Sequence, residues 1–322
     1  MSFREKISNY KNEHLLGGEK IVFLDLCHWF RLLEDEAYSD LKELCLEEVE
    51  EGKLVFPVSF SIINEFQKHK DKELVLNRIQ FADKLSKRFS ILHYYRLPRR
   101  EFVRYSNQSA TLKKIDVLTH WFDFFPVEFN LIQNGASKEH CDILGDQLLD
   151  ISPVEWLKYD VFWDMTQNIN DKIYVDLRNI IQNGYSVGLS RNVIKNEELD
   201  SMVDKFISEL VIDPNLSNDE LAAIKEFVNK TPKTPEGRRK FFRNLPSLYM
   251  RSEVNTSLRY DKEKVKINDL WDLEHAITLP YTNIYVTDKP TAHTLKNTLK
   301  LERKFDVSIL SSLEQLEEKL RA

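Results

Sequence analysis

Two short apolar segments, one near each end of the chain, each end in an aspartate and place the strongest constraint on the fold. The first is KIVFLD at residues 20–25, and the second is NIYVTD at residues 283–288. Runs of β-branched and aromatic residues of this length are typical of buried parallel strands. We therefore predict an α/β protein in which both ends of the sequence build one parallel sheet.

The remaining periodicity predicts further strands around a long helical middle. Strand signals recur in KLVFP at 53–57 and FDVSIL at 305–310, and a helix is predicted to begin after Ser59 and to carry Glu65 in its first turns. Residues 1–95 and 265–322 are thus predicted to form the core, and residues 96–264 an α-helical insertion. The longer predicted helices lie near 28–51 (ending at Gly52), 74–92, 110–124, 139–150, 153–183, 197–211 and 217–229.

Composition restricts the class of protein. The 322 residues are 42% hydrophobic, which is enough for a substantial core. Cys27, Cys45 and Cys141 are odd in number and widely spaced, which favours a reducing compartment and no structural zinc. No signal peptide and no long apolar run is present, so we expect a cytoplasmic protein without a membrane segment. The net charge of −6 argues against a wholly cationic nucleic-acid binder but is compatible with a carboxylate cluster.

Carboxylates recur where a parallel sheet binds its ligands. Asp25 and Asp288 end their strands, and ligands of open parallel sheets lie outside the carboxyl ends of the strands. Glu65 follows the second strand by about two helical turns, close enough to reach that edge. Asp269 and Asp272 are three residues apart and share one face of a predicted helix.

In this order, the segments VFLDLCHWF, VSFSIINEF, DLEHAITL and VTDKP resemble the PIN-domain family. The resemblance implies that Asp25, Glu65, Asp272 and Asp288 are catalytic residues that bind Mg²⁺ or Mn²⁺ and cleave phosphodiesters, usually in RNA. Two features depart from the family pattern. Thr287 stands directly before Asp288 rather than two positions before it, and the helical insertion is far longer than in a minimal PIN domain.

Residues around the four acids have supporting roles under this hypothesis. Asp269, Thr287 and Asn64 are expected to orient the ligands. Basic residues with aromatic neighbours in two stretches are expected to contact nucleic acid. They are Arg99, Arg100, Arg238, Arg239, Lys240 and Arg243. The alternative for each stretch is a solvated helix face.

Each acid also has a structural alternative. Asp25 and Asp288 can cap helices, and Glu65 can complement a helix dipole. His28 and His275 are expected to pack rather than to act in catalysis. Four acids in the family order favour metal binding.

The preferred function is a metal-dependent endoribonuclease acting on single-stranded RNA, of the toxin or defence-effector kind. An inhibitory or regulatory protein and a homo-oligomer are compatible partners. The alternative is a catalytically silent PIN-like scaffold that binds RNA or protein through its insertion. A phosphatase-like hydrolase is disfavoured because Cys27 stands where its second aspartate belongs.

Overall fold

The computed structural model describes residues 3–92, 96–106, 112–121, 152–158, 222, 226, 234, 244–261, 272 and 275–322. The chain divides into two compact units. The first unit comprises Met1–His93, Lys114–Tyr174 and Tyr281–Ala322, and the second comprises Tyr94–Lys113 and Val175–Pro280. The described residues 114–121 and 152–158, which fall within the predicted insertion, belong to the first unit. The insertion and its boundaries stay a prediction.

A four-stranded parallel sheet in the order β2-β1-β5-β6 lies at the centre of the first unit. The strands of this unit are β1 (Lys20–Leu24), β2 (Leu54–Val55), β3 (Phe89–Ile91), β4 (Leu118–His120), β5 (Ile284–Val286) and β6 (Ser308–Leu310). Leu24 pairs with Val286, and Val286 pairs with Leu310. Strands from the two ends of the sequence therefore finish in register at one carboxyl edge. The α/β class and the shared parallel sheet are confirmed.

Helices follow most of these strands. Those of the first unit are α1 (Phe3–His14), α2 (Leu26–Glu34), α3 (Ser39–Glu50), α4 (Phe60–Phe66), α5 (Lys72–Ser86), α7 (Pro153–Lys158), α9 (Lys289–His293), α10 (Leu301–Phe305) and α11 (Leu313–Arg321). A π-helical turn, Thr294–Thr298, extends α9, and short 3-10 turns span Glu36–Tyr38 and Lys114–Val117. A further 3-10 turn, Leu279–Tyr281, precedes β5 in the sequence.

Aromatic side chains hold α2 to its neighbours in the core. The ring of Trp29 meets those of Phe66 and Phe81 edge-on, with centroids 6.1 and 6.2 Å apart, respectively. Phe23 of β1 stacks on Tyr285 of β5 at 4.9 Å. Edge-to-face and offset contacts of this kind add to the hydrophobic stabilisation of buried rings. Trp29 thus packs α2 against α4 and α5, while Phe23 and Tyr285 join the two central strands.

The second unit is helical in its described part. Its helices are α6 (Arg96–Ser106) and α8 (Pro246–Asp261), and Ala222 and Glu226 are also helical. Buried Glu101 of α6 accepts hydrogen bonds from the backbone nitrogen and the hydroxyl of Ser247, at 2.8 and 2.7 Å. A carboxylate at the first turn of α8 satisfies donors that the helix itself leaves unpaired.

Three helix predictions need correction. The helix predicted over 28–51 is interrupted at Asp35, whose side chain accepts from the Ala37 nitrogen at 3.0 Å and starts a 3-10 turn. The helix predicted to reach residue 92 stops at Ser86, because Lys87 and Arg88 have positive φ angles of 49° and 60°. The chain then forms β3, which pairs antiparallel with β4.

The prediction of a helix over 110–124 is wrong, because β4 lies within this segment and pairs with β3. Gly52 does end α3 as predicted, with a φ of 73°. The predicted helices 139–150 and 197–211 lie outside the described residues. No helix among the residues that the structure describes is long and apolar enough to cross a bilayer.

Candidate metal centre at the carboxyl edge of the sheet

Asp25 and Thr287 meet at the carboxyl ends of β1 and β5. The backbone nitrogen of Asp25 donates to the Val286 carbonyl at 2.9 Å, which continues the strand pairing by one residue. The Thr287 hydroxyl donates to Oδ2 of Asp25 at 3.3 Å. This contact orients one carboxylate oxygen of Asp25 and joins the two ends of the chain at the edge where parallel sheets bind ligands.

Asp25 also caps α2, as its structural alternative predicted. Its Oδ1 accepts from the backbone nitrogen of Leu26 at 2.7 Å, and its φ and ψ of −67° and 157° are extended. Each carboxylate oxygen has two acceptor positions, so capping and metal binding are chemically compatible. The side chain is half-buried. Cap and hydroxyl together hold the carboxylate in one orientation.

Asp288 caps the next helix of the same edge. Its Oδ1 accepts from the Thr291 nitrogen at 2.8 Å, and Pro290 stands in the first turn of α9. Within the described ranges, no donor contacts Oδ2 of Asp288. Because Asp288 is an exposed residue, its Oδ2 is available to water or to a cation.

The charges of Asp25 and Asp288 both act on the thiol of Cys27, which the sequence did not assign to the site. The pKa of the Cys27 thiol is raised to about 12. Burial is the largest cause, and the carboxylates of Asp25 and Asp288 contribute the next largest increases. Although the residue is exposed, a thiolate here would be partly desolvated and would face two carboxylates. Two carboxylates acting on one thiol indicate a concentration of negative charge at this edge.

His28, the next residue of α2, is buried, with 3% of its surface exposed. Burial lowers the pKa of its imidazole, while the Thr287 backbone and the Asp25 carboxylate act in the opposite direction. Burial therefore favours the neutral form of this imidazole. Its predicted packing role agrees with this position.

Glu65 has a partner of its own. It lies in the last turn of the seven-residue helix α4, rather than in the first turns. Its Oε1 contacts Nζ of Lys68 at 2.7 Å, and only 10% of the Glu65 side chain is exposed. Ser59 caps α4 by accepting from the Ile62 nitrogen at 3.3 Å, which confirms the predicted helix start. The carboxylate that the resemblance assigns to metal binding is thus ion-paired with the Lys68 ammonium.

The other predicted residues are distributed between the units. Asn64 is a helical residue of α4, and Arg99 and Arg100 lie on α6. Asp272 is helical and belongs to the second unit, as does buried His275, whose carbonyl accepts from the Thr278 hydroxyl at 2.7 Å. The part of Asp272 in a metal site stays a prediction. Asp269, Arg238, Arg239, Lys240 and Arg243 lie outside the described residues.

Searches of family models, curated proteins and solved structures find no match to this chain. The site is therefore interpreted from its own geometry. At the carboxyl edge of the first unit, that geometry consists of two aspartates, a threonine hydroxyl and a buried imidazole.

Proposed function

We propose that this protein is a PIN-like, metal-dependent nuclease that hydrolyses phosphodiesters, with single-stranded RNA as its substrate. The observation that carries the proposal is the placement of Asp25 and Asp288 directly after neighbouring parallel strands, with the Thr287 hydroxyl on Asp25. The PIN resemblance adds Glu65 and Asp272 to the metal-binding set.

The donor chemistry fits Mg²⁺ or Mn²⁺. These ions prefer hard oxygen ligands, and Mg²⁺ is commonly held by one or two carboxylates together with waters and substrate phosphate. Asp25 and Asp288 supply such oxygens, and Oδ2 of Asp288 faces solvent. A bound ion would activate water and neutralise charge that develops on the phosphate.

The residues of the chain have distinct roles in this proposal. Asp25 is the principal ligand, and Thr287 fixes its orientation through the 3.3 Å hydrogen bond. Asp288 holds a ligand water or a second ion. Oε1 of Glu65 contacts Nζ of Lys68 at 2.7 Å, so Glu65 would bind metal through Oε2 or by displacing the lysine.

The competing function is a PIN-like scaffold without catalysis. It is favoured by the partners that the carboxylates already have: Asp25 and Asp288 cap helices, and Glu65 pairs with Lys68. None of these three acids needs a metal to be satisfied. In that case the insertion, residues 96–264, would contact RNA or protein without cleavage.

A cleavage assay separates the two functions. Purified protein is incubated with labelled single-stranded RNA, single-stranded DNA or duplex DNA, in Mn²⁺ or in EDTA. Cleavage that requires Mn²⁺ and is lost in Asp25→Asn supports the nuclease. Absence of cleavage together with absence of Mn²⁺ binding by calorimetry supports the scaffold.

The biological setting remains part of the proposal. In this setting the nuclease would be a toxin or defence effector that an inhibitory protein holds silent until it is released. Residues 96–264 would then select the substrate or bind the inhibitor. Co-purification of a specific protein that suppresses Mn²⁺-dependent cleavage would support this role.

A further inference from the structure

An exposed arginine in the last turn of α2 pairs with a glutamate at the carboxyl edge that carries the proposed metal ligands. Arg31 belongs to α2, the helix that Asp25 caps. Its partner Glu314 stands in the first turn of α11, which follows β6 after a cap by Ser312. Because β1, β5 and β6 are parallel neighbours, their following segments emerge along one edge. Glu314 thus lies beside the segment that carries Asp288, and Arg31 reaches Glu314 from the last turn of α2.

Arg31, Tyr38 and Glu314 form a small polar cluster. Arg31 donates through Nη2 to the Tyr38 hydroxyl, and that hydroxyl donates to Oε1 of Glu314 at 2.5 Å. Nη2 of Arg31 is itself 3.9 Å from Oε1 of Glu314, and the guanidinium lies 5.0 Å from the centre of the Tyr38 ring. The guanidinium is therefore placed by a ring and a hydroxyl, with a long ion pair to the carboxylate.

This ion pair is easily exchanged. The side chains of Arg31 and Glu314 are 47% and 59% exposed. Exposed pairs contribute little to stability because solvent and salt screen them. Both polar contacts of Arg31 use Nη2, and no bond from its other nitrogens is present among the described residues. A guanidinium has five donors and suits bidentate binding of phosphate.

Arg31 also shares α2 with the residues that directly follow Asp25. Arg31 lies four residues after Cys27 on α2, and such positions are neighbours on a helix surface. A nucleic-acid strand approaching the carboxylates of Asp25 and Asp288 needs a cation to offset the repulsion of its phosphates.

We propose that Arg31 binds a phosphate of the nucleic-acid strand next to the metal site, and that Glu314 occupies its guanidinium until that phosphate displaces it. This inference rests on the proposed nuclease function. Hydrogen bonds from Ser312 and Tyr38 hold the pKa of Glu314 to about 2, so the competing carboxylate is ionised at neutral pH. Tyr38 keeps its contact with Arg31 in both states.

The test compares substitutions on the two sides of the pair. Binding of a labelled single-stranded RNA is measured by fluorescence anisotropy in EDTA over a range of salt concentrations. Arg31→Ala is expected to weaken binding about tenfold and to reduce the slope of log affinity against log salt by about 0.7. Glu314→Gln is expected to tighten binding, because the guanidinium loses its internal competitor.

Two further variants control for charge and for folding. Arg31→Lys keeps the positive charge and should retain the salt slope. Arg321→Gln removes an exposed arginine of α11 that pairs with Glu317 at 2.9 Å, and should leave RNA binding unchanged. Thermal unfolding of each variant shows whether the fold is intact. A purely structural clamp predicts that Arg31→Ala and Glu314→Gln have the same effect.

Each result decides the inference. Opposite shifts in Arg31→Ala and Glu314→Gln support it, while equal weakening or no change in either variant overturns it. Wild-type protein that shows Mn²⁺-dependent cleavage but is insensitive to both substitutions keeps the nuclease function and loses only this inference. Wild-type protein that neither binds nor cleaves RNA overturns both.

Discussion

Thr287 donates its hydroxyl hydrogen bond to Oδ2 of Asp25 at 3.3 Å, although the two residues are 262 positions apart in the sequence. The contact exists because β1 and β5 are paired in parallel, with Leu24 opposite Val286. Thr287, which directly precedes Asp288, therefore hydrogen-bonds the aspartate that follows the neighbouring strand. This relationship makes the carboxyl edge a site with a fixed orientation of one carboxylate.

Asp25→Asn is expected to remove metal-dependent cleavage. The amide keeps a cap acceptor for Leu26 but loses the anionic oxygen that binds the ion. We expect cleavage in Mn²⁺ to fall at least about a hundredfold, as expected for the loss of several kcal/mol of charge stabilisation. Asp40→Asn, an exposed aspartate in the first turn of α3, is the matched control and should cleave like wild type.

Thr287→Val is expected to weaken metal binding without unfolding the sheet. Valine has nearly the volume of threonine but cannot donate to Asp25. Loss of a hydrogen bond that orients a ligand typically lowers metal affinity about 10-fold to 100-fold. Calorimetric titration with Mn²⁺ measures the change, and Thr287→Ser should restore most of the affinity. Equal Mn²⁺ affinity in Thr287→Val and in wild type would show that Thr287 does not contribute to the metal site.

Asp288 can be tested as a cap and as a ligand separately. Asparagine caps helices about as well as aspartate, so Asp288→Asn should keep the bond from Thr291 and the free energy of unfolding. Asp288→Ala should lower that free energy by about 1 kcal/mol. If Asp288 also binds metal, Asp288→Asn and Asp288→Ala should reduce the rate of cleavage to the same extent. Asp71→Asn, in the cap of α5, controls for a cap substitution away from the site.

Cys27 is expected to report metal binding through its thiol. Its pKa of about 12 leaves fewer than about one thiol in a thousand ionised at pH 8, so alkylation by iodoacetamide should be slow. A bound cation offsets the two aspartates, so Mn²⁺ should accelerate the reaction. Mass spectrometry of the Cys27 peptide gives the rate, with glutathione as standard. Rapid alkylation in EDTA would contradict the expected charge at this edge.

Asp83 should make the first unit less stable as the pH rises. Burial raises the pKa of its carboxyl to about 6, against an ordinary value of 3.8. The folded chain therefore binds more protons than the unfolded chain between about pH 4 and pH 6, and stability falls across that window. The free energy lost above pH 6 is up to about 3 kcal/mol.

Asp83→Asn removes this titration. In urea unfolding, the free energy of unfolding of Asp83→Asn should increasingly exceed that of wild type as the pH rises from 4 to 7. The two free energies should converge at low pH. A difference in unfolding free energy that does not vary with pH would show that Asp83 keeps an ordinary pKa. Arg88, 3.8 Å away, lowers the pKa of Asp83 but does not cancel the effect of burial.

The main strands and several caps could be predicted from the sequence, because local patterns determine them. The apolar runs ending at Asp25 and Asp288 form buried parallel strands. Ser59 and Gly52 begin and end helices through side-chain and backbone preferences that need no distant partner. The capping roles of Asp25 and Asp288 were also among the alternatives that local sequence allowed.

Other features depend on tertiary pairing. The segment around Leu118 was predicted as helix, yet it forms β4 because β3 offers hydrogen-bonding partners there. The end of α5 depends on two residues with positive φ that carry no glycine or asparagine signal. Strand formation in such short segments is decided by the neighbouring strand rather than by intrinsic preference.

The sequence by itself determined that carboxylates follow parallel strands, since the side chain after a strand end must lie at the sheet edge. Only the tertiary structure decided what each carboxylate contacts. Lys68 pairs with Glu65, Thr287 binds Asp25, and Tyr38 reaches Glu314, 276 residues away in the sequence. Such partners are set by the three-dimensional packing of helices and strands, which periodicity in one dimension does not specify.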